Sequence, residues 1–154
     1  MTTLRATEGN GANMRKLDAL LNQYGETHQN PVNKAIHWVC VPLIMWSALA
    51  AMWILSPIAT CVFVALALVY YARMSLAMAV GMLAMAALMI IPVPLLGERA
   101  LWIAAAVFVV AWIGQFVGHA IEGKRPKFLQ DLQFLLIGPA WILRFVYRGV
   151  GIRY

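Results

Sequence analysis

Three histidines are the only imidazoles in the chain, and they are the residues most able to do chemistry. Imidazole binds zinc, iron, copper and nickel, and three neutral imidazoles around one ion leave positions open for water, oxygen or substrate. His28, His37 and His119 are therefore the candidate metal-ligating and catalytic residues. Three histidines are too few for a dinuclear iron centre built from many of them and enough for a mononuclear one. His28 and His37 are nine residues apart. An unbroken helix would point them in opposite directions, but Pro31 falls between them and lets the chain turn. Gln115 and Glu122 sit one helical turn before and after His119, so either can face it and orient its ring. Glu122 has two further readings, a fourth ligand or a solvated acid paired with Lys124 or Arg125.

Bringing these residues together requires elements that suit the composition. Of 154 residues 63% are hydrophobic and 12% charged, with a mean hydropathy of +0.77, about half the charge of an ordinary soluble domain. A fold of this size cannot hide that much apolar surface from water, whereas a bilayer accepts helices of about 20 apolar residues that satisfy their own backbone. The expected fold class is an all-α integral membrane protein of about four transmembrane helices. Residues 1–13, rich in Thr, Gly and Asn, read as a disordered tail, and 14–154 as a single helical membrane domain. The first thirty or so residues lack a signal-peptide pattern, so the first span is expected to act as its own targeting signal. Cys40 and Cys61 lie in apolar runs and read as small hydrophobes rather than a disulfide or redox pair.

From Met14, the spacing of Leu17, Leu20, Leu21 and Tyr24 gives one apolar stripe with Arg15, Lys16 and Asp18 beside it, which predicts an interfacial helix lying on the membrane. Asn30-Pro31 is a helix start, and apolar runs place spans at about 35–55, 57–72, 74–91 and 100–118. Between Ala35 and Ile121 the only charged residues are Arg73, Glu98 and Arg99, all at predicted turns. After the charged stretch Glu122 to Lys127, the segment Phe128 to Tyr147 carries Gln130, Asp131, Gln133 and Arg144 and is interrupted at Gly138-Pro139. It reads as two interfacial or re-entrant half-helices. Four spans put every Lys and Arg except Arg99 on one side, which predicts cytoplasmic N- and C-termini. The net charge of +6 then reflects topology and anionic lipid, and no nucleic-acid partner is expected. The short loops lean towards a bacterial inner membrane rather than the endoplasmic reticulum.

The segment Tyr24-Gly-Glu-Thr-His28-Gln-Asn-Pro-Val-Asn33-Lys-Ala-Ile-His37, followed by Pro42, and the segment Gln115-Phe-Val-Gly-His119-Ala-Ile-Glu122, with Arg125-Pro126 and Gly138-Pro139 downstream, resemble the 2-hydroxy-fatty-acid dioxygenase family of small membrane proteins. The resemblance runs from about Met14 to Tyr147. It departs at Cys40, where a glycine is expected two positions before the motif proline. The resemblance implies an iron(II)-dependent α-oxidation in sphingoid-base or fatty-acid breakdown, in which a 2-hydroxy fatty acid reacts with O2 and is shortened by one carbon. It implies that His28, His37 and His119 hold Fe(II), that Asn33, Gln115 and Glu122 support them, and that the termini face the cytoplasm. The acyl tail would stay among membrane lipid, and Lys34, Lys124 and Arg125 are placed by topology to attract the carboxylate.

The residues alone leave other readings open. Three histidines and a water also make a zinc hydrolase site. His37 and His119 on different helices can ligate a b-type haem. A non-enzymatic lipid-binding protein would use its histidines only for hydrogen bonds at the interface.

Overall fold

Asn30 caps the longest uninterrupted apolar helix, its side chain accepting a hydrogen bond from Val32 N at 2.9 Å, with Pro31 at the first helical position where its missing N–H costs nothing. The computed structural model describes residues 16–129 and 131–154. The tail read as disordered, 1–13, lies outside the described residues, as do Met14, Arg15 and Gln130. The elements are all helical: α1 (16–25), α2 (Pro31–Leu55), α3 (Pro57–Ala72), α4 (Leu76–Ile90), α5 (Ala100–Glu122) and α6 (Phe134–Val150). Ser56 ends α2 and caps α3 through Ala59 N, and Ser75 caps α4 through Met78 N, so two serines set two reversals. Between α4 and α5 runs a 3-10 stretch, Val93–Arg99, whose Gly97 at φ 60°, ψ −147° holds a conformation that a side chain would forbid.

By length and composition, Pro31–Leu55 and the helical stretch Leu76–Glu122 are apolar enough to cross a membrane, and α3 is a shorter apolar helix. Many of the large apolar side chains of these helices point outward. Of the sixteen residues of α3 only Thr60 and Tyr71 are buried, and Leu55, Ile58, Leu88 and Trp102 are each more than 70% exposed. An apolar exterior of this kind is compatible with lipid.

Helix α2 is the centre of the arrangement. It pairs along its length with α5 and also touches α3, α4 and α6. Gly114 and Gly118 make the α2–α5 approach close: a Cβ at Gly114 would strike Cys40 Sγ, and one at Gly118 would strike Asn33 Oδ1. The sulfur of Cys40, where the motif expected glycine, is thus accommodated by a glycine on the partner helix.

Two local expectations need correction. The α1 stripe does not face lipid. Leu17, Leu20, Leu21 and Tyr24 are all buried, because α6 offers a matching apolar face in Phe134, Ile137, Trp141 and Tyr147. Nor is the C-terminal segment two half-helices. α6 runs unbroken through Gly138-Pro139. Pro139 lies near the helix start, where its missing N–H frees only the Leu135 carbonyl, and Tyr71 donates its hydroxyl to the adjacent Leu136 carbonyl at 2.6 Å.

α4 meets α6 where Tyr147 donates its hydroxyl to the Ala77 carbonyl at 2.6 Å, and a Cβ at Gly81 would collide with that hydroxyl and with Leu143 Cδ2 at 2.6 Å. Gly81→Ala is expected to destabilise the protein by about 1–3 kcal/mol through forced displacement of Tyr147. Tyr147→Phe, which removes one hydrogen bond, costs about 1 kcal/mol. Thermal unfolding in detergent checks both, and a Gly81→Ala protein as stable as the parent would rule out this packing.

Candidate metal centre

Each of the three histidines is delivered by a different local device. His28 lies in the turn after α1, where its Nδ1 contacts the Tyr24 carbonyl at 2.6 Å. His37 is on the second turn of α2, its Nδ1 2.9 Å from the Asn33 carbonyl one turn back. A carbonyl can only accept, so both Nδ1 atoms carry the proton and both Nε2 atoms present a lone pair. His119 comes from the last turns of α5, which Gly123 ends in the left-handed conformation.

The rings converge. Centroids are 4.1 Å apart for His28 and His37, 4.8 Å for His37 and His119, and 5.1 Å for His28 and His119, with the planes steeply inclined to one another. One ligating nitrogen from each lies within 4.8 Å of the others. All three side chains are buried, and His28 Nε2, His37 Nε2 and His119 Nδ1 have no hydrogen-bond partner. A buried polar atom left unpaired costs about 1–3 kcal/mol, and three facing one another make a donor set that a metal ion would satisfy at a stroke. The residues therefore fit a mononuclear centre of the zinc or iron(II) type.

Glu122 is not the solvated acid paired with Lys124 or Arg125; it bonds to Asn33, another of the residues expected to support the histidines. Its Oε1 accepts from Gln29 N at 2.8 Å, and its Oε2 accepts from Asn30 N at 2.8 Å and Asn33 Nδ2 at 3.1 Å. The carboxylate clamps the end of α5 to the start of α2 rather than pairing with Lys124 or Arg125. Lys124 Nζ donates instead to the Glu26 carbonyl at 2.7 Å. Asn33 also donates to the Thr27 carbonyl at 3.1 Å, so it fixes the turn that carries His28. Gln115 is buried one turn before His119 and its amide nitrogen has no partner. Lys34 is half-buried beside His28, whereas Arg125 is exposed.

Two cavities reach the cluster and share no lining residue. One, of about 310 Å³, is walled by α2, α3, α4, α5 and the start of α6; it passes Met45, Met52, Phe63 and Phe108 and is also lined by Gln115, His119 and Lys127. The other, of about 250 Å³, ends at His28 and is lined by Lys34, Arg144 and Arg148. The sequence reading did not single out Tyr24, Trp141 or Arg144 for the site. Tyr24 stacks on His28 at 4.2 Å and Trp141 lies 5.4 Å from it. The available signal was Arg144, a basic residue inside an apolar run.

Burial and the neighbouring His37 ring push the His28 imidazole down from 6.5 to about 3, against the bond to the Tyr24 carbonyl that favours its protonated form. His28 is thus neutral at physiological pH, the form that binds metal. An unfolded chain protonates His28 near 6.5 while the fold resists until about 3. Across that window the unfolded state holds the extra proton, so the metal-free protein is expected to lose stability as pH falls below 6.5. Thermal unfolding titrated downward from neutral pH checks this, with a shallower slope expected for His28→Gln. Glu122→Ala is expected to lower metal affinity by about 10- to 100-fold, as loss of a group that orients ligands does, with Glu122→Gln intermediate. Parental affinity in the alanine variant, measured by competition with a chelator, would mean that the clamp does not position the histidines.

The 2-hydroxy-palmitic acid dioxygenase MPO1 of Saccharomyces cerevisiae is 31% identical over 142 residues, which covers 86% of this chain and 80% of the yeast protein. No solved structure matches significantly. The family profile described as 2-hydroxy-palmitic acid dioxygenase Mpo1-like matches residues 14–150, and the chain belongs to that family.

Proposed function

We propose that the protein is an iron(II)-dependent membrane dioxygenase that shortens 2-hydroxy fatty acids by one carbon. The observation that carries this reading is the convergence of three buried imidazoles, each with one unpartnered nitrogen. The family and the activity for which the yeast relative is named supply the substrate class and the co-substrate O2. His28, His37 and His119 would hold the metal. Iron(II) bound there supplies the one-electron chemistry by which ground-state O2 reacts with a closed-shell acid, and leaves positions for substrate.

The chain's own residues do the rest. The apolar cavity takes the acyl tail along Met45, Met52, Phe63 and Phe108 and excludes water from the reacting end. Gln115, buried with a free amide beside His119, is placed to donate a hydrogen bond to an oxygen at the head of that tail. Tyr24 and Asn33 hold two of the imidazoles in the tautomer that points Nε2 inward, through the carbonyls of their own residues. Four spans, formed by α2, α3, α4 and α5, with both termini on the cytoplasmic face of a bacterial inner membrane, account for the apolar exterior and the distribution of basic residues.

The test is the metal content of detergent-purified protein prepared without oxygen, followed by turnover of 2-hydroxyhexadecanoate. About one iron per chain is expected, with O2 consumed and a product one carbon shorter. His28→Ala, His37→Ala and His119→Ala should each remove the iron and the activity while the protein remains folded. Zinc in place of iron, with no O2 consumption, would point to a hydrolase. Failure to hold any metal after iron reconstitution would defeat the catalytic reading.

A further inference from the structure

The cavity that ends at His28 has a chemistry of its own. Lys34, Arg144 and Arg148 line it, and the one acidic residue on its wall is Glu26. Glu26 does not neutralise them. Its side chain is 69% exposed and its carboxylate lies 3.9 Å from Lys127 Nζ. Arg144 is the unusual member. It is 9% exposed, its Nη1 donates to Asn22 Oδ1 at 2.8 Å, and its Nε is buried with no partner. Among the described residues no carboxylate forms an ion pair with it. Arg148 follows one turn later on α6, so the two guanidinium-bearing side chains lie on one face and repel each other.

A buried guanidinium without a counter-charge is expensive, and holding a second cation one turn away raises the cost. Charge of this sign, gathered along an open cleft with an unused N–H donor buried at its wall, is the chemistry of an anion site. Arginine suits a carboxylate in particular, because its planar fork can give two parallel hydrogen bonds. The position relative to the histidines narrows the ligand further. The cationic cavity reaches the cluster at His28 and the apolar cavity reaches it at His119, and those two rings are 5.1 Å apart. A molecule with an anionic head and a long apolar tail would occupy both and lay the carbons next to its carboxylate against the imidazoles.

We propose that the Arg144 cavity is the carboxylate subsite for a long-chain acid, with Arg144 as the anchor and Lys34 and Arg148 as the outer cations. This deepens the dioxygenase reading and rests on it for the identity of the acid. The subsite explains how a 2-hydroxy acid would be oriented with its first two carbons at the centre rather than its tail. It also assigns the carboxylate to a group other than Lys124 or Arg125, neither of which lines the cavity.

The test compares binding of hexadecanoate, hexadecanol and hexadecyl phosphate to the full-length protein under nitrogen, with and without added iron(II), by displacement of a fluorescent fatty acid. The parent is expected to prefer the acid to the alcohol. Arg144→Gln should reduce that preference on the order of 10-fold, and Arg144→Lys should restore part of it. An Arg144→Gln protein that weakens acid and alcohol equally would make Arg144 a packing residue and overturn the proposal. So would a parent that shows no preference for the acid, or one that favours the phosphate and so serves a lipid headgroup. If Arg144→Gln does not fold, the double variant Lys34→Glu, Arg148→Glu carries the test, since reversing both outer charges should abolish the preference and its persistence overturns the subsite. Turnover separates the two ideas. A protein that prefers the acid through Arg144 yet neither holds iron nor consumes O2 refutes the dioxygenase reading alone, and an active enzyme whose preference ignores Arg144 refutes the subsite alone.

Discussion

The carboxylate of Glu122 is the constraint on which the site depends. Its two oxygens collect two backbone amides from the turn between α1 and α2 and one side-chain amide from the first turn of α2, and it is itself the last residue of α5. One residue thus ties the helix that carries His119 to the turn that carries His28 and the helix that carries His37. One of these donors, Asn30 N, belongs to the N-cap of α2, so the carboxylate also meets the positive end of that helix. The bond requires the two helices to lie close, which is why α5 has Gly114 and Gly118 where it passes Cys40 and Asn33. A larger residue at either position would lever the clamp open before it touched a histidine.

The imidazoles are held by the backbone as much as by each other. Two donate from Nδ1 to a carbonyl four residues earlier, a local bond that needs only helical or near-helical geometry. Because the acceptor is fixed, so is the tautomer, and the inward nitrogens are left without protons or partners. Burial then keeps the turn histidine neutral. The cost of three unsatisfied nitrogens is borne by a fold whose remaining contacts are ordinary, notably the apolar packing of α1, α4 and α6 around Tyr71, Met78 and Ile137. This is the pattern expected when a fold is stabilised elsewhere and unsatisfied at the place where it binds something.

Much of this was legible in the sequence because the informative residues are rare. Three histidines in a chain so poor in charge stand out, and Asn30-Pro31 and Ser56-Pro57 mark helix ends by chemistry that acts within a few residues. What could not be read is what depends on distant partners. The α1 stripe is the same stripe whether it faces lipid or α6, and only the fold says which. Pro139 looks like a break until its position near the start of α6 and the Tyr71 hydroxyl on Leu136 are known. Glu122 finds its partners 93 and 92 positions away, and Arg144 reaches Asn22 across 122.

The two cavities give the polarity of the site a physical meaning. An amphipathic substrate in a bilayer has its tail in hydrocarbon and its charged head near water, and removing either from its medium is costly. A centre buried among apolar helices must therefore be approached from two sides at once, by a tail that never leaves an apolar wall and by a head that never lacks a counter-charge. The cavity past Phe63 and Phe108 offers the first, and the wall of Lys34, Arg144 and Arg148 offers the second. The histidine cluster borders the first at His119 and the second at His28, so an acid that filled both would present the carbons near its carboxylate to the imidazoles. Selection by tail alone would let a chain slide along its own length. Selection by a fixed charge at one end does not, and it ties the bond that reacts to its distance from the carboxylate rather than to the length of the acid.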